Sequence, residues 1–466
     1  MRSAQSDSLA DFILQRTQRS VDRTILTRGS DRWTNGEFLT TCRRLASRLR
    51  DEASDVSAIA VSAESSAWLP FLVWATVIAE IDLWLLPALP AGATLLEHTR
   101  SLPTRVIYSD APGLVPDDRQ RPLNALFAEL PVDPGSGSGS GSGRRAAFVF
   151  QTSGTEGAPK SVRCEHWQFA KVLSAMRDCG ALNHAIDTQV YLSQPLQHSY
   201  GLCSFLEYCA AGGSVVLPPE RSPLGPAGDL MQVGSGVQAI EGVPYFWSQF
   251  AKLQKRLDLP DLRHLGLGGG RVDPAVMEKV LARFPQATVS VRYGLTETPS
   301  VATHKVYVPP HGADWSSSGR VVPAYRVEVQ DPSGQVVLDG TEGEIHVMGD
   351  CVAAPLGDLR TGDLGYFDSR GELVVTGRRS AFIKRRGFRL SPETIESAAT
   401  GCDGVIDCRA LGVDDRLILE VVSDVELSVP KLFDQLRARL PASMVPDHVR
   451  RVVTIARTYS GKIKRS

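Results

Sequence analysis

The run Gln151-Thr152-Ser153-Gly154-Thr155-Glu156-Gly157-Ala158-Pro159-Lys160 constrains this 466-residue chain more than any other stretch. It follows Ala146-Ala147-Phe148-Val149-Phe150, an apolar segment that reads as a buried strand. Gly154 and Gly157 let the backbone approach a ligand closely. Successive N–H groups in such a turn form an anion-binding concavity, and the hydroxyls of Thr152, Ser153 and Thr155 add donors. Lys160 brings a compact positive charge. The pattern asks for polyphosphate. It is not the loop ending in Gly-Lys-Ser/Thr, because Pro159 stands before the lysine. The other reading of the stretch is a solvated polar turn; the fold class expected for the chain is α/β, from strands and helices that alternate along it.

The rest of the chain agrees with that class. Thr24–Thr27, Ala58–Val61 and Leu83–Leu89 read as strands, and Asn35–Leu49 as an amphipathic helix. Ala67–Ala79 is apolar throughout but too short to span a bilayer, so it reads as a buried helix. Further helices are expected near 165–179 and 272–284. The strict Gly-Ser alternation from Gly135 to Gly143 reads as a flexible tether. From about Lys305 to Gly377, strand-like segments at Arg326–Gln330, Gly343–Met348 and Glu372–Thr376 alternate with Gly-containing turns, as in an antiparallel barrel-like unit. The remainder carries helical patterns at Pro392–Ala399 and Val429–Leu440. The expected organisation is a large N-terminal part, 1–379, and a small C-terminal α+β lid, 380–466. The former divides into α/β subdomains at about 1–143 and 144–304 and the barrel-like 305–379.

Charge and cysteine usage narrow the function classes. Lys plus Arg number 51 against 52 Asp plus Glu, a formal net charge of -1, which argues against nucleic acid as a partner. The eight cysteines show no C-x-x-C pair and no zinc spacing with histidine. They read as small apolar residues of a reducing compartment. With no signal-peptide pattern over Met1–Arg19 and no membrane insertion expected, the cytoplasm is the expected location.

Several other clusters carry chemistry. Arg292-Tyr293-Gly294-Leu295-Thr296-Glu297 follows the apolar alternation 288–291 and so ends a strand. There an aromatic face can stack on a base, a hydroxyl can reach phosphate, and a carboxylate can hold Mg²⁺. In Gly268-Gly269-Gly270-Arg271 the three glycines leave a wall without side chains, or else a tight turn into the helix opened by Asp273-Pro274. Asp363, in Thr361-Gly362-Asp363, can accept both hydroxyls of a sugar, and Arg378 follows a strand that can bring it to the same place. Lys384–Arg389 is a basic stretch, either a solvated turn or a patch for an anionic partner.

Together these motifs resemble the AMP-forming acyl-adenylating enzymes: acyl- and aryl-CoA ligases, luciferases and the adenylation domains of peptide synthetases. The phosphate loop is similar to their Thr-Ser-Gly-Thr-Thr-Gly-x-Pro-Lys, with Glu156 at the second threonine. The resemblance covers nearly the whole chain and implies ATP and Mg²⁺ as cofactors. By resemblance, Tyr293 and Gly294 lie at the adenine, Thr296 at the α-phosphate, Glu297 at the metal, and Asp363 with Arg378 at the ribose. The wall Gly268–Arg271 lies against adenine and acyl group. Gln197-His198-Ser199-Tyr200-Gly201 resembles the family's His-x-x-Gly segment, which puts His198 at the reacting carboxylate and Tyr200 in the acid pocket. Tyr245, Phe246 and Trp247 are further candidate walls, though core packing accounts for aromatics equally well. Amino-acid-activating members carry Phe-Asp where this chain has Gln197-His198, so an acid without an α-amine, aryl or acyl, is expected. Ser460-Gly461-Lys462-Ile463-Lys464-Arg465 resembles the closing motif, which makes Lys462 catalytic. Ala381 stands at the hinge position usually held by Asp, and Lys384 and Gly387 follow on the thiol-acceptor side. The implied reaction joins a small carboxylic acid to the thiol of coenzyme A or of a carrier protein's phosphopantetheine; an amine acceptor, giving an amide, is the alternative.

Overall fold

A computed structural model describes residues 8–52, 58–63, 68–87, 102–104, 106–109, 120–128, 130–131, 145–153, 159–218, 226–233, 236–253, 257–270, 274–312, 315–379, 382–385, 388–423, 427–457 and 463. Two large sheets organise the N-terminal part. The six-stranded sheet runs in the order Gln120–Pro122, Ile107–Ser109, Ala58–Ser62, Asp82–Leu85, Ala147–Ser153, Pro159–Glu165. Its pairs are parallel except the last, where Ala147–Ser153 folds back antiparallel onto Pro159–Glu165. The apolar segment forms the helix Leu69–Ala79, with nearly every side chain buried, as a helix apolar on all sides must be.

The second sheet has thirteen strands. Its parallel section is ordered Thr24–Arg28, Ser214–Leu217, Gln189–Leu192, Ala239–Gly242, His264–Leu267, Thr288–Tyr293, with Asp31–Thr34 antiparallel to Thr24–Arg28 at the outer edge. From Thr288–Tyr293 it continues antiparallel through Thr303–Tyr307, Ser317–Val321, Leu373–Arg378, Asp358–Phe367, Gly343–Met348 and Arg326–Gln330. The strands expected as a barrel-like unit are thus present and antiparallel, and they are hydrogen-bonded edge to edge onto the parallel section. Each sheet also recruits strands from both sides of residue 143: Thr24–Arg28 pairs with Ser214–Leu217, and Ala147–Ser153 pairs with Asp82–Leu85. Pairing partners this far apart leave no trace in local periodicity.

One core lies among the N-terminal helices and both sheets, with Phe38, Phe71, Trp74, Phe148, Phe169 and Phe205 all fully buried. A second, around Trp247, Phe246, Phe250, Tyr191 and Met277, underlies the middle of the thirteen-stranded sheet. The C-terminal unit has its own core, from Ile383 to Leu440, beneath the sheet Val405–Val413, Arg416–Ser423, His448–Arg451 and the helices Pro392–Thr400 and Val429–Arg439. The eight cysteines form no disulfide, and Cys179 alone of them is exposed. Among the described residues no helix is long and apolar enough to cross a membrane. The Gly-Ser run 135–143 lies outside the described residues.

Candidate functional site

The phosphate-loop motif begins inside a strand. Thr152 and Ser153 close Ala147–Ser153, where they pair with Lys160 and Pro159 of the return strand. Gly154, Thr155 and Gly157 lie outside the described residues. At the far side of the loop, Lys160 puts its Nζ 3.9 Å from Glu297 Oε1. The two residues are 137 positions apart and come from different sheets. Lys160 is mostly exposed and the Glu297 side chain mostly buried, so the pair sits at a cleft's edge.

Thr288–Tyr293 ends the parallel section, and the turn 294–297 lies beyond its carboxyl end, where open α/β sheets bind ligands. Thr298 stabilises the turn by accepting from the Leu295 N–H at 2.8 Å. Thr296 Oγ1 lies 3.3 Å from Ser199 Oγ, which brings the first turn of the helix Ser199–Ala210, and His198 just before it, to the same cleft. The backbone carbonyl of Glu297 accepts from the Ala353 N–H at 2.7 Å.

Tyr293 donates its phenolic hydrogen to Asp363 Oδ2 at 2.9 Å. Asp363 stands opposite Arg378 in the antiparallel ladder, with Arg378 Nε 3.5 Å from Oδ1. Burial, then the Asp363 charge, hold the Tyr293 phenol protonated well above its usual range. Thr361 braces the group, donating to the Ile345 carbonyl at 2.6 Å and accepting from the Asp363 N–H at 3.0 Å. A carboxylate, a guanidinium and an aromatic face from three strands therefore meet at one point.

The glycine wall follows His264–Leu267. Gly269 has φ +72, a left-handed conformation that favours glycine. A side chain at Gly269 or Gly270 would press on Val243 or Pro244 at 3.1 Å. At Gly268, which is buried, it would meet the Tyr200 ring at 2.5 Å. Arg271 lies outside the described residues.

The three aromatics expected as pocket walls serve packing and contact with the C-terminal unit in this structure. Phe246 and Trp247 are core residues, and Trp247 Nε1 donates to the Gly242 and Gly266 carbonyls at 3.1 and 3.3 Å. Tyr245 opens the helix Pro244–Leu253 and lies under the Arg457 guanidinium, 4.6 Å from the ring centroid. Arg457 also pairs with Asp407, and Lys252 Nζ donates to the Ile406 carbonyl at 2.8 Å. Tyr245 thus faces the C-terminal unit. Arg457 bridges to Ile463, the residue after Lys462. Lys462, Ala381 and Gly387 lie outside the described residues. Lys384 sits in the short strand Ile383–Arg385, paired with Phe388–Leu390.

The cluster that motif reading missed lies beneath Tyr200. Its hydroxyl donates to Glu241 Oε2 at 2.8 Å. Arg292 bonds both Glu241 and Glu207, Tyr208 donates to Glu241 Oε1 at 3.1 Å, and Ser300 donates to Glu207. All of these charges are buried. Burial, partly offset by Arg292, raises the Glu207 carboxyl above its usual range. An acid therefore does stand near the Gln197–Gly201 segment, but it is already paired. The signal was available: Glu241 interrupts the apolar run 239–243, and Glu207 the apolar run 202–211, and a charge buried there needs a partner.

His184 and His264 complete this cluster, with His184 Nε2 3.9 Å from Glu241 Oε1. Burial pushes the His184 imidazolium down to about 3. His264 uses Nδ1 and Nε2 on the Thr288 and Ser290 hydroxyls at 2.8 and 3.0 Å. The His184–Glu241–His264 group is close enough to hold an ion, but Arg292 already neutralises its only carboxylate. Glu297 suits Mg²⁺ better, since that ion takes one or two carboxylates together with phosphate oxygens.

Known proteins are similar to this chain in sequence and in fold. A luciferin 4-monooxygenase of Photuris pensylvanica is 26% identical over 342 residues, covering 69% of this chain and 60% of its own length. The chain spans from about half to just under two thirds of the first curated relatives it matches. Among solved structures, an anthranilate CoA ligase in complex with anthranoyl-AMP superposes with a TM-score of 0.81 at 16% identity, covering 98% of this chain and 96% of that one. The o-succinylbenzoate CoA synthetase of Bacillus subtilis, in complex with its acyl-adenylate, gives 0.77 at 22% identity, covering 97% and 96%. At these identities the likeness establishes the fold, with helices and sheets matched along nearly the whole chain. The family model described as AMP-binding enzyme matches residues 13–355, a span holding the phosphate-loop strands, the glycine wall and the Tyr293–Glu297 turn, and so this chain belongs to the AMP-binding enzyme family.

Proposed function

We propose that the protein is an ATP-dependent ligase that activates a small aryl or acyl acid without an α-amine and passes it to a thiol. In the first step a carboxylate oxygen attacks the α-phosphorus of ATP, the bond to the bridging oxygen breaks, and pyrophosphate leaves with that electron pair. In the second, a thiol of coenzyme A or of a carrier protein attacks the acyl carbon. AMP departs and the thiol proton passes to solvent. Splitting one difficult transfer into two easier ones is the general gain of such activation.

The observation that carries this reading is the convergence of Lys160 with Glu297, and of Tyr293 with Asp363 and Arg378. In this reading Asp363 accepts the ribose hydroxyls beside Arg378, while Tyr293 lends its face to the base. Thr296 donates to the α-phosphate, and Lys160 with the loop amides holds the outer phosphates. Mg²⁺, when bound, neutralises charge on the phosphoryl oxygens, with Glu297 as its protein ligand. Lys462 supplies the positioned cation at the bond being made, and charge stabilisation of this kind is usually the largest single contribution. His198 borders the reacting carboxylate. The names of related proteins favour the same chemistry: an anthranilate CoA ligase, an o-succinylbenzoate CoA synthetase and a benzoate CoA ligase share the fold. The cytoplasm suits this use of cysteines and of coenzyme A.

ATP–pyrophosphate exchange with a panel of aryl and acyl acids tests the first step. Mass analysis of products with coenzyme A, phosphopantetheinylated carrier protein or an amine tests the second. Acid-dependent exchange and a thioester product are expected. Exchange with no acid, or an amide formed in preference to any thioester, overturns the proposal.

A further inference from the structure

The phenol of Tyr200 is held more firmly than a residue lining a pliable pocket requires. It lies in the first turn of the helix Ser199–Ala210, one residue after the serine whose hydroxyl meets Thr296. The hydroxyl end of its ring lies against the bare backbone of Gly268, where an added Cβ would come within 2.5 Å of Cε2, 2.8 Å of Cζ and 3.1 Å of the hydroxyl. Its far end is tied down. The hydroxyl donates to Glu241 at 2.8 Å, an Arg292 nitrogen lies 3.4 Å from it, and the guanidinium carbon sits 5.3 Å from the ring centroid.

These anchors are themselves fixed. Glu241 is 1% exposed and Arg292 5%, and Glu241 also takes the Tyr208 hydroxyl while Arg292 also takes Glu207. Gly266 makes room for the Glu241 carboxylate, which any side chain there would strike. Swinging Tyr200 aside would leave a buried carboxylate short of a donor, a cost that discourages the alternative rotamer.

We infer that Tyr200, held by the positioning residues Glu241 and Arg292, closes the distal end of the acid pocket and restricts the enzyme to compact acids, a single flat ring or a short chain. This rests on the ligase reading above, in which the acid lies along Gly268–Gly270. In that reading the space beyond Gly268, where a longer skeleton would run, is occupied by a ring held in place at its hydroxyl.

The test is the size profile of ATP–pyrophosphate exchange, measured as kcat/KM for straight-chain acids from acetate to decanoate and for one-ring and two-ring aryl acids. Wild-type protein is expected to favour compact acids and to lose about 10–200-fold at the first skeleton that meets Tyr200, the range for one ill-fitting methylene. Tyr200→Ala is expected to raise kcat/KM for acids beyond that limit at least about tenfold, by the same measure, while lowering it for compact ones. Tyr200→Phe keeps the ring but cuts the tie to Glu241, and is expected to shift the limit outward by a smaller step. A purely structural role for Tyr200 would lower all acids alike and leave the profile unchanged. A wild-type enzyme that turns over decanoate or two-ring acids as well as benzoate overturns the inference while leaving the ligase reading intact. So does an unmoved limit in Tyr200→Phe, the variant that preserves volume. Wild-type protein that supports exchange with none of the acids removes the ligase reading and this inference together.

Discussion

Arg292→Met is the perturbation whose consequence the structure defines most closely. The guanidinium is buried and bonds two carboxylates, Glu207 and Glu241, which are themselves 0% and 1% exposed. Methionine matches much of the volume, so the loss is electrostatic rather than a cavity. Removing one partner of a buried ion pair costs about 3–5 kcal/mol, because the charge left behind is uncompensated. Here two are left behind, and Glu207 can take up a proton to limit the damage. That fixes the sign of the pH dependence. Burial already raises the folded-state pKa of Glu207, with Arg292 among the groups that pull it back down. A group with a raised folded pKa stabilises the fold below its unfolded pKa and loses that contribution as pH rises through the folded one. Without Arg292 the Glu207 pKa rises further, so the variant loses more stability than wild type between pH 5.5 and pH 8. The expected deficit is about 3–5 kcal/mol at pH 8 and distinctly smaller at pH 5.5. Urea unfolding followed by tryptophan fluorescence at both pH values measures it, with Trp74 and Trp247 fully buried as reporters. A deficit below about 1 kcal/mol at pH 8, or an equal one at both pH values, would show that Arg292 does not neutralise this pair.

Lys462→Ala is expected to slow adenylation by on the order of 10²–10³, typical for one positioned electrostatic donor, and near-wild-type exchange would refute its role. Asp363→Ala removes an acceptor worth about 1.5–3 kcal/mol, so the KM for ATP should rise roughly 10–100-fold with kcat changed less. An unchanged KM counts against ribose binding. Arg457→Gln breaks the stack on Tyr245 and the pair with Asp407 at the contact between the C-terminal unit and the helix Pro244–Leu253. Since Arg457 also bridges to the residue beside Lys462, exchange should slow several-fold, as expected for an interaction of about 1 kcal/mol, at constant KM for ATP. A change confined to KM would place Arg457 outside the control of that tail. Gly268→Ala drives a methyl into the Tyr200 ring and is expected to cost about 1–3 kcal/mol in urea unfolding, the range for overpacking; an unchanged midpoint would show that the ring moves freely.

What could be read in advance divides along a physical line. The elements themselves, such as the helix Asn35–Glu52 or the strand Thr288–Tyr293, follow from apolar spacing over a few residues, and their bounds agree with that spacing. The strand-end motifs were legible because glycines, hydroxyls and charges crowded at the end of an apolar run have few other uses. Sheet membership was not legible. Nothing in Thr24–Arg28 says that it joins Ser214–Leu217, since any exposed strand edge offers the same hydrogen bonds. Side-chain type likewise failed to separate two uses of aromatics. Trp247 packs in a core and Tyr245 stacks under Arg457, though both read equally well as pocket walls. The buried charges behave differently again. Glu207, Glu241 and Arg292 each look misplaced in an apolar or motif context, and only their meeting makes sense of all three. An ionised group in an apolar run is a demand for a partner, and three such demands in one chain, two negative and one positive, already outline the network before the fold is known. That network ends on Tyr200, whose ring meets Gly268, so under the inference drawn above the misfit charges bear on the choice of acid as well as on the fold.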